Sequence, residues 1–570
     1  MKTWFLGASL LLLASVPAFA QLDDLETRAM RDEMQRSMKE LRLESMDRPY
    51  YVAYKIVDSD TRAAQASLGA LTSSGEARNR VLSVTVRVGS YEFDNTNFNG
   101  GGGSLAALLG SVGGGSSILP LDDNYDELRR KIWLTTDAAY KKAIEDLSAK
   151  KAAQQNRNRE ETIPDFCKEP PRQESEIMPP VDLKLPDAEH LVRAASAVFR
   201  TLPLVETSGA EIQVANNTEH FLDSEGTTYI RQVPDLTFRA SASLQISTGE
   251  IFSDSYSAYG RSLSELPPET ELLHETNLVA DRLSARRKGK LAKRYNGPVL
   301  FEEESAAELF AHDFANQLSA RSRSGGGNNA ILSALLSGSN AGGGGNSTAG
   351  LVNKIGSRVL PDFLTVVDNP QLTQAEGHKL YGNYKFDEEG VPSQETLLVK
   401  DGILKTLLTS RTPARGMLQS TGNMRERGVL PGNLFVDASK SSSSEDLRKQ
   451  LLEIVKNRDL EYGMIIRRLS GNVALEAIRV YPDGHEETVR DSRVAEITIN
   501  SFKDILAVSK ERTAYTEHAA ITSLAGLSLF SNGDLITYVV PDMLFEDMTV
   551  EHIPNDSPKL PAISSPLASN

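Results

Sequence analysis

The stretch Gly297–Gln317, GPVLFEEESAAELFAHDFANQ, limits the fold more than any other. Pro298 to Phe301 form a short apolar run, which reads as a buried strand, and acidic residues follow at once. From about Ser305 the residues predict a helix, with Ser305 as N-cap and Glu308 three positions later as its capping-box partner. Glu308 and His312 then stand four residues apart on one helical face. They are the nearest approach in this chain to a catalytic constellation. A helix that follows a central strand points its start at the sheet's carboxyl edge, where ligand crevices form. Both side chains are therefore expected to face one cleft.

At 570 residues the chain is long enough for two or three domains. Its 77 acidic and 62 basic residues give a net charge of −15, which disfavours nucleic acid as a partner. The first twenty residues follow another pattern. Lys2 supplies a positive start, Trp4 to Val16 an apolar run, and Ala18-Phe19-Ala20 a small-x-small cleavage site. That is a secretory signal, too short for an anchor, with cleavage expected after Ala20. No later run is long and apolar enough for stable membrane insertion. The expected location is periplasmic or secreted. A single cysteine, Cys167, cannot close an internal disulfide, so packing must carry stability.

Along the chain, Leu22 to Leu41 has helical spacing, and Tyr50–Val57 and Leu82–Val88 read as strands. Asn99 to Ser117 is a Gly/Ser-rich insertion without the lysine of a phosphate loop. Asp123 is expected to cap a long helix with Leu128, Ile132, Tyr140, Ile144 and Leu147 as its apolar stripe. Residues 152–182 are polar and Pro-punctuated, as in a surface crossing. Asp187–Leu202 and Leu272–Lys288 are predicted helices. Between them Ala210–Gly260 reads as a β-meander, with turns at Asn216-Asn217 and Glu225-Gly226. Arg286 to Arg294, RRKGKLAKR, reads as a solvated helix end, and Ser322 to Gly350 as a second flexible insertion. Beyond Leu360 the pattern is β-rich. Thr396–Lys400 and Ile403–Leu408 flank Asp401-Gly402 as a type I′ hairpin. Ser444–Lys456 is a capped helix. Met464–Leu469, Val473–Tyr481 and Glu487–Ile499 are strands, and Ser531–Asp534 turns into the run Leu535–Val540.

Several of these segments resemble the TldD/PmbA family of metallopeptidases, known in older naming as modulators of DNA gyrase. FDEEGVPSQETLLVKDGILKTLLTSR is similar to one family block. Ser420-Thr421-Gly422-Asn423, Arg425 and Pro431-Gly432-Asn433-Leu434 resemble a second. Glu487–Arg490 with Phe502–Leu506 resembles a third. Together they span most of residues 297 to 550 in family order. The resemblance implies an α+β, two-domain fold. Residues 21–296 form an N-terminal α/β domain with long helices, crossed at 152–182 by the polar segment. Residues 297–550 form a β-rich C-terminal domain, and 551–570 a tail. It also implies a dimer, with itself or with a TldD/PmbA-like paralogue, and a peptide substrate.

Active members of the family carry His-Glu-x-x-x-His and a C-terminal Cys as zinc ligands. Here that window is Ala307-Glu308-Leu309-Phe310-Ala311-His312. The resemblance gives Glu308 the role of catalytic base and His312 that of a metal ligand. Ala307 replaces the first ligand, and the C-terminal half has no Cys, so the zinc motif is degenerate. Because the missing Cys belongs to that half, the strands between Met464 and Ile499 are expected to form the cleft's opposite wall. A peptidase zinc needs three protein ligands and an open position for water. Neither His274-Glu275 nor His485-Glu486 extends to His-Glu-x-x-His, and there is no Gly-x-Ser-x-Gly. Three readings follow: a peptide-binding or partner subunit of a peptidase complex, an active metallopeptidase on unfolded or small peptides, and a structural envelope protein.

Overall fold

The computed structural model describes residues 24–43, 45–98, 115–154, 163–246, 249–320, 351–426, 428–495, 497–519, 534–553 and parts of 561–569. The expected leader, most of both glycine-rich insertions and the Ser531–Gly533 turn lie outside the described residues.

The N-terminal half is built on a seven-stranded sheet: β1 (Pro49–Ser67), β2 (Ala70–Val88), β3 (Ser116–Ile118), β4 (Gln173–Ile177), β5 (Val205–Asp223), β6 (Thr228–Gln245) and β7 (Ile251–Gly260). They run in the order β3-β2-β1-β5-β6-β4, with β7 paired to β6 as well. The alternation of β1 sorts its side chains onto two faces. Val52, Tyr54 and Ile56 pack with Met30 and Met34 of helix α1 (Leu25–Glu40) and with Leu128, Ile132 and Tyr140 of helix α2 (Tyr125–Gln154). Tyr51 and Ala53 point the other way and meet Phe166, Phe221, Tyr229 and Phe386. Helices α3 (Leu185–Ala197) and α4 (Glu269–Lys288) cover the far end of the sheet through Val192, Leu272, Val279 and Leu283.

A twelve-stranded sheet organises the C-terminal half. Its strands are β8 (Lys290–Leu291), β9 (Tyr295–Phe301), β10 (Leu364–Asp368), β11 (Thr396–Lys400), β12 (Ile403–Leu404), β13 (Asn433–Ala438), β14 (Gly463–Ser470), β15 (Val473–Val480), β16 (Glu486–Arg490), β17 (Ser492–Ala495), β18 (Ile505–His518) and β19 (Leu535–His552). The main order is β12-β11-β10-β13-β19-β9-β14-β15-β16-β8. The buried strand expected at Pro298–Phe301 is the core of β9. It lies between β14, parallel to it, and β19, antiparallel to it. Helix α5 (Glu304–Leu309) follows at once, and α6 (Ser444–Asn457), capped by Ser443, packs Leu447, Leu451 and Val455 against Leu300 and Ile465. The Asp401-Gly402 hairpin is present with both residues at positive φ, 48° and 75°, as a type I′ turn requires.

Several expectations are corrected. Asn216-Asn217 is not a turn but the middle of β5, where the Asn216 amide bonds both Val181 N–H and Val181 C=O at 2.8 and 3.0 Å. Asn124, not Asp123, caps α2 by accepting the Glu127 N–H; Asp123 pairs instead with the buried Arg80. The 152–182 segment is more than a surface crossing. It adds β4 to the sheet and buries Phe166 between the guanidiniums of Arg87 and Arg411, 3.8 and 4.0 Å from its ring. In RRKGKLAKR, Arg286 is only 4% exposed and lies 4.8 Å over the Phe252 ring, while most of the remainder is solvated. The strand expected at Glu487–Ile499 is broken at Asp491, whose φ of 56° turns the chain between β16 and β17.

The two halves meet over apolar and ionic contacts. Phe386 packs 4.7 Å from the Tyr229 ring, a burial worth about 1.5–3 kcal/mol. Arg411, fully buried, donates to Cys167 C=O at 2.8 and 3.1 Å and to Glu225 at 2.6 Å.

Candidate active site cleft

Helix α5 starts from strained backbone. Glu303 has a φ of 55° and its N–H is held by Asp542 at 2.9 Å. Ser305 does not cap the helix. It lies inside it, and its hydroxyl donates to the Glu302 and Ile466 carbonyls, both at 2.7 Å, tying the first turn to the sheet edge. Glu308 is therefore free of the capping role. One carboxylate oxygen accepts the Leu469 N–H at 2.7 Å, and the side chain is 8% exposed. Burial pushes its pKa up to about 8, with Glu304 and Glu517 adding repulsion and the Leu469 bond and Arg468 opposing it. Ala306, Ala307 and Leu309 are wholly buried in the core on the other side of the helix.

At Phe310 the helix widens into one i→i+5 turn, Phe310–Phe314, a geometry common at functional sites. His312 lies in that turn. Its Nε2 is 3.5 Å from a Glu517 carboxylate oxygen on β18. Glu517 also accepts a 3.2 Å bond from the Tyr515 hydroxyl, and burial raises its pKa while the His312 charge opposes the rise.

Glu308 lines a cleft of about 600 Å³ between the two halves. Its walls include Ser255–Tyr259 of β7, Tyr381, Arg468 and Ala514–Thr516 of β18. Glu304 pairs with Arg468 at 2.8 Å and Lys379 with Glu265 at 3.3 Å, so these charges at the walls are matched. Tyr256, Tyr259, Tyr381 and Tyr515 add aromatic surface bearing hydroxyls. His312 is not among the lining residues; it pairs with Glu517. The opposite wall is also not the one expected. Among the described residues of Met464–Ile499, Arg468 alone lines the cleft, and β7 and β18 supply much of the rest. Tyr515 and Glu517 went unnoticed in the sequence, although their i, i+2 spacing on a strand places them on one face.

Zinc, which the resemblance implies, does not fit this donor set. Ala307 has no donor atom and is buried, and His312 engages Glu517. Among the described residues no group of three His, Cys, Asp or Glu side chains is placed to hold a metal ion. Cys167 is half-buried in the interface loop, with its thiol pushed up to about 11 by burial, and its carbonyl serves Arg411.

A family model described as PmbA/TldA metallopeptidase C-terminal domain matches residues 293–552. Over those residues the chain is similar to the C-terminal domain of the TldD/PmbA family. A metalloprotease of Methanocaldococcus jannaschii is 40% identical over 78 residues, 14% of this chain and 16% of that protein. The metalloprotease PmbA of Escherichia coli O157:H7 is 28% identical over 177 residues, 31% of this chain and 32% of that one. The PmbA homologue of Buchnera aphidicola is 26% identical over 239 residues, 41% and 46%. The matches thus span less than half the length of these curated relatives. The likeness of fold extends further. TldE from Thermococcus kodakarensis superposes with a TM-score of 0.54 at 14% identity, over 92% of this chain and 99% of that one. A Thermotoga maritima protein described as a modulator of a DNA gyrase gives 0.56 at 15%, with the same coverage. The TldD/PmbA-type α+β architecture is therefore common to both halves. Among the described residues no helix is long and apolar enough to cross a membrane.

Proposed function

We propose that this chain is an exported, peptide-binding member of the TldD/PmbA family with a degenerate zinc motif, acting as a partner subunit beside itself or an intact paralogue. The observation that carries the reading is the pairing of a large, aromatic, charge-matched cleft at Glu308 with a helix whose first metal position is the buried Ala307. Tyrosines supply contact area to a peptide at small entropic cost, and their hydroxyls accept and donate to its backbone. Glu308, kept protonated to about pH 8, can donate a hydrogen bond to a peptide carbonyl. Export rests on the leader at 1–20; N-terminal sequencing of the protein from its host's envelope fraction should begin at Gln21.

The test is binding of a fluorescent unfolded peptide to the full chain, with and without a chelator. The expected result is saturable binding indifferent to the chelator, weakened by about tenfold in Tyr515→Ala, some 1.4 kcal/mol. A second reading, an active metallopeptidase, draws on the same Glu308, since a carboxyl titrating near neutrality suits a general base. Hydrolysis of the peptide, abolished by the chelator and by Glu308→Gln, would establish that reading in place of the first.

A further inference from the structure

Glu517 lies on β18 two residues beyond Tyr515, on the same face of the strand. Three donors meet at its carboxylate. The Tyr515 hydroxyl donates to one carboxylate oxygen at 3.2 Å, and His312 Nε2 stands 3.5 Å from the same oxygen. The third donor is the hydroxyl of Tyr538 on β19, opposite Tyr515 in the ladder, with the two rings 6.4 Å apart. Tyr538 is 2% exposed and lies in the C-terminal core, whereas Tyr515 lines the Glu308 cleft. Neither Glu517 nor His312 is among the described residues that line that cleft, so the carboxylate reaches it through Tyr515.

A phenol has one proton to give. With that proton on Glu517, the Tyr515 oxygen offers only lone pairs to anything else that reaches it. Three donors around the carboxylate hold it as an acceptor, and a charged acceptor polarises the hydroxyl further, since hydrogen bonds in a chain strengthen one another. A peptide carbonyl meeting that oxygen would set lone pair against lone pair. A peptide N–H would complete the chain. We infer that Glu517 is a positioning residue of the cleft: it fixes the Tyr515 hydroxyl as a hydrogen-bond acceptor, so that this wall takes a backbone N–H of the bound peptide and turns away a carbonyl. The role rests on the cleft binding peptide, as proposed above, and adds to that reading the polarity of one contact. It needs no metal and no titration of any group.

Fluorescence anisotropy of the labelled unfolded peptide on the full chain tests this, in a double-mutant cycle. Tyr515→Phe removes the acceptor and should weaken binding by about three- to tenfold, the scale of one neutral hydrogen bond. Glu517→Leu replaces the carboxylate by an apolar side chain of similar size. It should weaken binding by about two- to fivefold in the native background and not at all in Tyr515→Phe, because it acts through the hydroxyl. Glu517→Gln, a neutral acceptor in the same space, serves where the leucine variant does not fold; its loss should be about twofold, with the same dependence on Tyr515. With peptide binding intact in the unmodified chain, three results would each overturn the assignment. Tyr515→Phe could bind as tightly as the native chain. The Glu517 variants could lose as much in both backgrounds, which is the mark of a structural role. Glu517→Leu could bind more tightly, as expected of a hydroxyl freed to donate to a carbonyl. Absence of saturable binding by the unmodified chain would instead overturn the peptide-binding reading itself, and the role of Glu517 with it.

Discussion

At the scale of single residues, Glu308 shows how burial rather than spacing sets chemical character. Its i, i+4 relation to His312 was visible in the sequence; in the fold Glu308 lines the cleft and His312 pairs with Glu517. The Glu308 carboxyl titrates near 8 when folded and near 4.5 when unfolded. Between those values the unfolded chain has released a proton that the native chain retains, so ionisation costs the native state and stability falls as pH rises from about 4.5 to 8. Glu308→Gln keeps an acceptor for the Leu469 N–H and removes the titration. It is expected to stabilise the protein by about 1–3 kcal/mol at pH 8 and by almost nothing at pH 4.5, read from urea midpoints at the two pH values. Arg411 makes the opposite case. Arg411→Ala takes the guanidinium away from the buried Asp223, from Glu225 and from the Cys167 carbonyl, for an expected loss of about 3–5 kcal/mol in the same assay.

At the scale of elements, local chemistry was legible where it stays local. The apolar run Pro298–Phe301 became the central strand, and Asp401-Gly402 became its hairpin, because a buried run and a positive-φ pair each have few alternatives. Gly402 is doubly constrained: its φ is 75°, and a Cβ there would lie 2.2 Å from the Leu360 carbonyl. Gly402→Ala should therefore cost about 2 kcal/mol or more, measured as a lowered melting temperature, whereas the exposed Gly484→Ala, without a neighbour within 4 Å, should cost only its φ strain. Elements governed by distant partners were not legible. Asn216-Asn217 carries turn chemistry, yet the Val181 backbone takes up the Asn216 amide and the strand runs on. The ends of β1 and β2 between Thr61 and Arg80 are mostly polar, so no alternation announced that the two strands are 19 residues long. Ser305 looked like a cap, but the Ile466 carbonyl of a strand some 160 residues on claims its hydroxyl. The cleft walls followed the same rule: β7, Arg468 and β18 come together only in the folded chain.

At the scale of the whole molecule, the two sheets are joined by a compact patch in which Phe166, Arg411, Tyr229 and Phe386 interlock, and the Glu308 cleft opens along that join. On the proposed reading, Ala307 stands at the first metal position of a TldD/PmbA-type scaffold, which keeps the cleft without the zinc cage. Replacing Ala307 by His alone would add one donor to His312 and leave zinc weakly held, since a stable site takes three protein ligands. Ala307→His is thus expected to raise zinc affinity only slightly, and a Cys added on the facing β18 as well to raise it far more, both read by titration against a competing chelator. The most direct measurement for the central claim is the zinc content of the purified, unmodified chain by metal analysis, beside that of His312→Ala. Well under one zinc per chain, the same in both proteins, is the expected result; one zinc per chain, lost in His312→Ala, would contradict the account.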